Sequence, residues 1–269
     1  MDHSAAATLD SITVYPVKAL DGVGVDDARI GDAGGLVRDR EFAVVDADGD
    51  YVNGKNERRI HRVSADFDLG RRTVRLAAPR DDDAPAAAEF GLDDDRGGVE
   101  SWLADFLGYD VSVVGEDPAG YPDDEEADGP TVVSTGTLAE VASWFDGVDA
   151  AEMKRRLRPN LVVDAAEAFW EDRLFGSRGD RVRFRVGDVA LDGVNPCQRC
   201  VVPTRDPDTG EATPGFRERF VERRRETMPP WSGGDWFDHD YRLMVNTEVP
   251  ASSRGDRFRV GDDVVIADE

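Results

Sequence analysis

The chain is built from short strand-like segments joined by Gly/Asp turns, and strands do not alternate regularly with helices along it. REFAVVDADGDYV (40–52), DRVRFRVGDVALDGV (180–194) and DRFRVGDDVVIAD (256–268) each have the strand–turn–strand pattern of a β-hairpin. Neither a βαβ succession nor a glycine-rich phosphate motif is present, which excludes nucleotide-binding doubly wound folds. The pattern therefore predicts a mainly β or α+β fold, with barrel-like sheets and a few peripheral helices.

Helices are predicted at three places. VESWLADFLG (99–108) has apolar residues at helical spacing, and TLAEVASWF (137–145) begins with Thr137 as the expected N-cap and Glu140 three residues later, which forms a capping box. FRERFVERRRE (216–226) predicts a charged helix, whereas RLRPNLVVD (156–164) predicts a strand entered through a proline. The acidic stretch 118–129 has the composition of a linker, and we place a domain boundary in it, between residues 122 and 123.

The charge balance is strongly acidic, with 57 acidic and 33 basic side chains and a net charge of −24. Such a field repels nucleic acid and anionic membranes, so neither is expected as a partner. The acids are interleaved with apolar residues, and lysine occurs only three times, which predicts a folded, halophilic protein. Apolar runs are far shorter than a membrane span and the first residues lack a secretory signal pattern, which predicts a cytoplasmic location.

Both cysteines of the chain, Cys197 and Cys200, lie in the stretch NPCQRCVVPTRDPDTGE (195–211). A disulfide would close a loop too short to stabilise the fold much, and structural zinc requires about four ligands, which three isolated histidines do not complete. A thioredoxin-like pair requires a helix start after the motif, and none is predicted there. Two alternatives remain: small buried core residues, or one thiolate that neighbouring arginines stabilise as a soft metal ligand.

If one thiolate is a metal ligand, the few basic clusters of this acidic chain become candidates for binding an anionic group. These clusters are RDR (38–40) and KRRLRPN (154–160). If a metal arrives within a phosphorylated organic cofactor, the protein needs one thiolate and scattered Arg or Lys side chains for the phosphate. The following DPDTG (206–210) predicts a turn that fixes the path of the chain after Cys200.

These motifs resemble a known family. SITVYPVKAL (11–20), RDREFAVVD (38–46), RPN (158–160) and the cysteine stretch, in this order, are similar to the MOSC domain (molybdenum cofactor sulfurase C-terminal domain) and the N-terminal β-barrel domain that precedes it. The subgroup that it resembles most comprises the mitochondrial amidoxime-reducing component and the bacterial YcbX-like proteins. The resemblance implies a MOSC N-terminal β-barrel domain over residues 8–122 and a MOSC domain over residues 123–269.

The resemblance also implies roles for individual residues. Cys200 matches the cysteine that ligates molybdenum, with Arg199 beside it as a residue that tunes the ligand, and Cys197 is expected to be a packed neighbour. The other matches contact the cofactor, molybdopterin. Lys18 and Arg40 match residues at the pterin, and Arg158 and Asn160 match residues at the phosphate and pterin. Asp128 and Thr131 match a segment that makes further contacts with the cofactor.

The implied function is a molybdenum-cofactor oxidoreductase that reduces N-hydroxylated or other N-oxygenated small molecules. An iron–sulfur module would require four further cysteines, so a separate ferredoxin or flavoprotein is expected to deliver the electrons. Two alternatives stay open at this point. One is a sulfur carrier with a persulfide on Cys200, and the other is a carrier that binds the cofactor without turnover.

Overall fold

The computed structural model describes residues 7–79, 84–115, 117, 119–124, 127–232 and 239–267. These residues contain fifteen strands and four α-helices, which confirms the mainly β class. The strands are β1 (Ala7–Val14), β2 (Val23–Val25), β3 (Asp27–Arg29), β4 (Ala43–Val45), β5 (Ser64–Asp68), β6 (Thr73–Ala77), β7 (Ala88–Gly91), β8 (Ser112–Val114), β9 (Val132–Ser134), β10 (Leu161–Asp164), β11 (Val182–Val186), β12 (Val189–Gln198), β13 (Arg242–Glu248), β14 (Arg257–Arg259) and β15 (Asp263–Ile266). The helices are α1 (Arg96–Leu107), α2 (Thr135–Ser143), α3 (Ala150–Leu157) and α4 (Phe216–Thr227).

Seven strands close into a barrel in the order β10-β9-β13-β12-β11-β15-β1, and antiparallel pairing of β1 with β10 completes the ring. Its core includes Leu9, Val163, Phe184, Leu191 and Val245, all at most 1% exposed. Burial of each such side chain stabilises the fold by roughly 1.5–3 kcal/mol. The first strand of the chain thus lies within a barrel that otherwise consists of strands after residue 130. The proposed limits 8–122 and 123–269 stay a prediction.

A second apolar core lies between β4 and β8, the sheet β5-β6-β7 and helix α1. Helix α1 confirms the prediction for 99–108: it has Asp95 as N-cap and ends at Gly108, which adopts a left-handed φ of 82°. A 3-10 helix, Arg58–Arg62, packs its Ile60 into the same core. Of the acidic linker, residues 118, 125 and 126 lie outside the described residues.

Helices α2, α3 and α4 surround a third core on the outside of the barrel. The predicted helix 216–226 is confirmed by α4, but Thr137 is not the N-cap of α2. Ser134 caps that helix by accepting from the Thr137 N–H, while Thr137 itself is buried. The prediction of a strand over 156–164 is wrong at its start, since α3 continues to Leu157 and only β10 is extended. Asp149 caps α3, whose buried face includes Met153 and Leu157.

The hairpin predicted over 180–194 is confirmed by β11 and β12, which turn at Gly187 with a φ of 57°. The hairpin predicted over 256–268 is wrong. Its two strands turn sharply at Gly261, but β14 pairs with β3, whereas β15 pairs with β11 and β1. The segment 40–52 forms one short strand, β4, followed by an isolated bridge between Val45 and Tyr51.

Candidate functional site

The site is organised around Tyr15, the residue that follows β1. Its ring is buried, and its hydroxyl donates to the carbonyl of Pro159 at 3.1 Å. The guanidinium groups of Arg158 and Arg40 lie 4.2 and 5.0 Å from the ring centroid, within cation–π range. Burial raises the pKa of Tyr15 to about 12, so the phenol stays protonated and continues to donate at neutral pH. One aromatic ring therefore fixes the positions of two arginines from distant parts of the chain.

Lys18 directs its ammonium group at the segment that returns from the second core to the barrel. Its Nζ donates to the carbonyls of Tyr121 and Pro122 at 2.9 and 2.7 Å and forms a 2.9 Å ion pair with Asp123. The ammonium also lies 5.1 Å from the ring centroid of Tyr51. Burial lowers the pKa of Lys18, and the Asp123 carboxylate opposes this effect. The charge of Lys18 is thus balanced from within the chain.

Arg40 is buried and has partners of the same kind. Its guanidinium is paired with Asp39 and lies 3.2 Å from Asp123 Oδ2. Burial alone would lower the pKa of Arg40, but the two carboxylates outweigh it and raise the pKa above its ordinary value. The main-chain carbonyl of Arg40 accepts from the N–H of Tyr121 at 2.8 Å, which joins the same segment to this arginine a second time.

Arg158 differs from these two cations. It terminates α3 in the left-handed conformation, with a φ of 58° and its N–H donating to the carbonyl of Lys154. Among the described residues, its buried Nη2 has no hydrogen-bond partner and its guanidinium has no ion pair. Burial lowers the pKa of Arg158. An unpaired buried guanidinium is costly unless a ligand supplies the missing acceptor.

Asn160 and Thr131 are joined by their side chains at the entrances of β10 and β9. Asn160 Oδ1 accepts from the Thr131 N–H and hydroxyl at 3.2 and 3.3 Å, and the Thr131 hydroxyl oxygen accepts from the Asn160 N–H at 3.1 Å. Asn160 Nδ2 donates to the carbonyl of Thr13 on β1 at 3.1 Å. This pair therefore fixes the loop that carries Arg158 to three strands of the barrel.

Cys200 lies two residues beyond the end of β12, where its side chain is half-buried. Arg199 fixes this loop to the end of α3 through a 2.8 Å bond from Nη2 to the carbonyl of Leu157. Arg156, itself buried, donates to the carbonyl of Pro203 at 3.1 Å from the same helix. The loop with the half-buried thiol is thereby held beside the residue that precedes Arg158.

The predicted turn after Cys200 is confirmed. Asp206 Oδ1 accepts from the N–H groups of Asp208 and Thr209 at 2.9 and 2.8 Å. Gly210 has a φ of 70°, and a Cβ there would lie 2.5 Å from the carbonyl of Arg58, so the close approach requires glycine. Arg58 in turn donates to the Gly210 carbonyl at 3.1 Å.

The contact between Arg58 and Gly210 brings the 3-10 helix Arg58–Arg62, which contains His61, against the loop that follows Cys200. The pKa of His61 is lowered by burial, and the positive charges of Arg205 and Arg158 act in the same direction, so the imidazole is neutral at pH 7. His61 is therefore in electrostatic contact with both arginines. The second core thus contributes a histidine to a site that otherwise belongs to the barrel.

Cys197 has a different environment from Cys200, although both thiols are free. Cys197 is buried and donates to Asn246 Oδ1 at 2.6 Å, and Asn246 Nδ2 donates to Asp124 and Asn195 at 2.6 and 2.9 Å. Burial raises the pKa of Cys197 to about 12, which keeps this thiol protonated. Of the two thiols, only that of Cys200 is partly accessible.

Several buried polar atoms around Cys200 lack hydrogen-bond partners within the described residues. Arg205 and Tyr241 are in electrostatic contact with the Cys200 thiol. The His61 imidazole is in electrostatic contact with both Arg205 and Arg158. The unpartnered atoms are Arg158 Nη2, Arg199 Nε, Arg205 Nη1, the Tyr241 hydroxyl and His61 Nε2. Each such atom costs about 1–3 kcal/mol while it stays unpaired.

These donors fit a phosphorylated organic group placed beside a thiolate, because its anionic oxygens would accept the N–H and O–H groups that the chain leaves open. The described part of the chain holds no cluster of three or more His, Cys, Asp or Glu side chains that could form a metal cage. A metal at this site would therefore depend on one thiolate and on ligands that the cofactor itself supplies.

Not every predicted residue lies in this cluster. Lys18, Arg40, Thr131, Arg158, Asn160, Arg199 and Cys200 are brought together as described above. Asp128 is not, because its carboxylate lies beside Gly34. Burial raises the pKa of Asp128, and the charge of Arg254 opposes it. The role of Asp128 in cofactor binding stays a prediction.

Sequence reasoning missed four residues of the site: Tyr15, His61, Asp123 and Tyr241. Tyr15 could have been found, because it precedes Lys18 in the YPVK motif that carries the resemblance. Asp123 could not, since it is one of many acids in an acidic stretch and its partners are more than eighty residues away. His61 and Tyr241 reach the site only through the tertiary fold.

Comparison with protein families agrees with this architecture. Residues 6–148 match the MOSC N-terminal beta barrel domain, and residues 131–265 match the MOSC domain. The chain belongs to the family that combines these two domains.

Three curated relatives carry the name of one MOSC subgroup. The chain is 29% identical to mitochondrial amidoxime reducing component 2 of Rattus norvegicus, over 76% of this chain and 68% of the relative. It is 29% identical to mitochondrial amidoxime-reducing component 1 of Danio rerio, over 74% and 69%. Identity to component 2 of Bos taurus is 26%, over 76% and 68%. Within the described residues, no helix is both long and apolar enough to cross a membrane.

Proposed function

We propose that this protein binds the molybdenum cofactor, with Cys200 as the molybdenum ligand, and reduces N-hydroxylated small molecules. The observation that carries the proposal is the half-buried Cys200 thiol beside guanidinium groups whose buried N–H donors have no partner in the described chain. The names of the relatives, which are amidoxime-reducing components, support the reaction class. When bound, the cofactor supplies two-electron chemistry at molybdenum.

The chain's own part begins with the thiolate. A thiolate is a soft ligand suited to a molybdenum centre, and the guanidinium of Arg205 is in electrostatic contact with the Cys200 side chain. Arg199 is fixed to the end of α3 and supports the loop from the other side. Cys197, protonated and bonded to Asn246, has no part in ligation in this proposal.

The remaining residues would hold the organic part of the cofactor. Arg158 offers an open guanidinium N–H to the phosphate, and the Asn160–Thr131 pair fixes its loop. Lys18 and Arg40 would face the pterin, on the other side of Tyr15. His61, whose buried Nε2 has no hydrogen-bond partner that meets the usual geometry in the described chain, would be a further contact for the cofactor.

The overall reaction with an amidoxime consumes two electrons and two protons, breaks the N–O bond and yields an amidine and water. The electrons would come from a separate redox protein, a ferredoxin or a flavoprotein. The protein would exclude alternative reactions by positioning the substrate, while the redox chemistry belongs to the cofactor.

The proposal is tested by assaying conversion of an aryl amidoxime to the amidine with chemically reduced viologen as electron donor. Protein from a cofactor-producing host should turn over, and Cys200→Ser should lose at least about a hundredfold of the rate. Mass spectrometry of the Cys200 peptide tests the sulfur-carrier alternative in the same samples. A persulfide on Cys200 together with no amidine formation would contradict the proposal, and so would equal turnover by the Cys200→Ser variant.

A further inference from the structure

The segment Gly120–Asp124, which we name the strap, occupies the cations that the proposed function assigns to the pterin. It supplies two carbonyls and a carboxylate to Lys18, and the same carboxylate to Arg40. Desolvation raises the pKa of the Asp123 carboxyl, but the charges of Arg40 and Lys18 outweigh it and hold this pKa well below its usual value. The strap thus provides the kind of oxygen acceptors that an anionic ligand would bring.

The strap is fastened at both ends. At its start, the Tyr121 N–H donates to the Arg40 carbonyl at 2.8 Å. At its end, Asp124 accepts from Asn246 at 2.6 Å, and Asn246 accepts from the buried Cys197 thiol. Between these points the chain is accessible, since the Asp123 side chain is 56% exposed despite its two cationic partners. No residue of the strap belongs to one of the three apolar cores, although Tyr121 packs edge-on against Tyr51.

Gly120 makes the close approach of the strap possible. Its φ is 71°, a conformation that other residues rarely adopt, and a Cβ would lie 2.8 Å from the Arg40 carbonyl. The Arg40 carbonyl also accepts the hydrogen bond from the Tyr121 N–H. Any side chain at position 120 would push the strap away from Arg40.

We propose that the strap is a displaceable anion built into the chain, which closes the Lys18–Arg40 site and leaves when an anionic group of the cofactor binds there. Two paired cations stay neutralised while the site is empty of ligand, and the cofactor must compete with Asp123 for them. The closed strap therefore lowers the affinity for weakly charged ligands and favours those with several anionic oxygens. This inference rests on the proposed function only for the identity of the ligand.

The first test measures binding of inorganic phosphate by calorimetry at low ionic strength. Asp123→Asn removes the competing charge, and Asp105→Asn removes an exposed carboxylate from α1 as the matched control. We expect roughly tenfold tighter phosphate binding for Asp123→Asn, as for a change of about 1.4 kcal/mol, and unchanged binding for the control. Adding Lys18→Met to Asp123→Asn should abolish the gain. Unchanged affinity in Asp123→Asn, or a gain that survives Lys18→Met, would overturn the inference.

Removal of a charge could strengthen phosphate binding without any movement, so a second variant leaves all charges in place. Gly120→Ala should also tighten phosphate binding, because it weakens closure through backbone geometry alone. Hydrogen exchange of the Tyr121 amide should accelerate in this variant, and in the wild type when phosphate or cofactor is bound. A Tyr121 amide whose exchange is unchanged or slower under both conditions would contradict displacement. Neither phosphate affinity nor hydrogen exchange requires turnover. The inference about the strap can therefore be disproved while the proposed reaction holds, and the proposed reaction can be disproved while the inference about the strap holds.

Discussion

The basic residues of the candidate site form two groups whose partners differ. Lys18 and Arg40 are fully paired with Asp39, Asp123 and main-chain carbonyls, whereas Arg158 and Arg205 keep buried N–H groups without partners in the described chain. Both groups consist of basic side chains that are at least partly buried. The difference teaches that pairing, rather than charge, separates cations that a ligand can reach directly from those whose acceptors within the chain a ligand must first displace.

The largest expected effect is a difference in the free energy of unfolding between two variants, one that replaces a paired arginine by methionine and one that replaces an unpaired arginine. Arg224 is fully buried and its Nη2 lies 2.6 and 2.7 Å from the two carboxylate oxygens of Asp172, so Arg224→Met should lower the free energy of unfolding by about 3–5 kcal/mol. Arg158→Met removes a half-buried cation whose Nη2 has no hydrogen-bond acceptor in the described chain and whose contact is the Tyr15 ring, and it should leave stability unchanged or raise it. Urea unfolding of the two variants and the wild type measures the difference.

The same Arg158→Met variant should lose cofactor, with molybdenum content falling at least about tenfold. Loss of stability equal to that of Arg224→Met would contradict the assignment of Arg158 as an unpaired cation. Full retention of molybdenum would contradict its role toward the cofactor.

A second contrast between paired and unpaired groups involves adjacent carboxyls. Asp172 is bound by Arg224, whereas one oxygen of the fully buried Glu171 has no partner among the described residues, the other accepting from Ser134 and Thr137. Burial, reinforced by the charge of Asp172, raises the pKa of Glu171 from 4.5 to about 7. The folded state therefore binds this proton more tightly than the unfolded state does.

The stability that Glu171 contributes is then present below pH 4.5 and lost as the pH rises toward 7, by up to about 3 kcal/mol. Glu171→Gln keeps the shape without the titration. The free energy of unfolding of Glu171→Gln relative to the wild type should rise between pH 5 and pH 8. If the difference is the same at both pH values, Glu171 does not titrate in this range.

The smallest effect concerns the pair that fixes the Arg158 loop. Thr131→Val removes the hydroxyl that bonds with Asn160 and should cost about 1 kcal/mol of stability, with a several-fold loss of phosphate affinity. Thr135→Val, which removes a hydroxyl bonded to Ala165 outside the site, is the matched control for stability. Equal phosphate affinity of the two variants would show that Asn160 needs no support from Thr131.

Much of the fold follows from local sequence signals. Helices α1 and α4, the β11–β12 hairpin and the turn at Asp206 each depend on periodicity or on turn residues within a short stretch, and these predictions were confirmed. Helix α3 was missed because its charged residues obscure a buried face that includes Met153 and Leu157. The partners of β14 and β15 could not be predicted, since both strands pair with segments far away in the sequence.

The candidate site was predictable in residue types but not in pairing. The motifs identified Lys18, Arg40 and Arg158 alike as cations, and only the tertiary structure distinguishes the two that Asp123 binds from the one that it does not. The asymmetry of the cysteines likewise depends on Asn246, 49 residues from Cys197. Whether the predicted residues hold a cofactor stays a proposal.

The most direct measurement is the molybdenum content per chain of wild type, Cys200→Ser and Cys197→Ser, all purified from a host that makes the cofactor. Each substitution exchanges a thiol for a hydroxyl, and a hydroxyl at 197 can still donate to Asn246. We predict close to one molybdenum per chain in the wild type and in Cys197→Ser, and almost none in Cys200→Ser. Equal molybdenum in the two variants, or none in the wild type, would contradict the account.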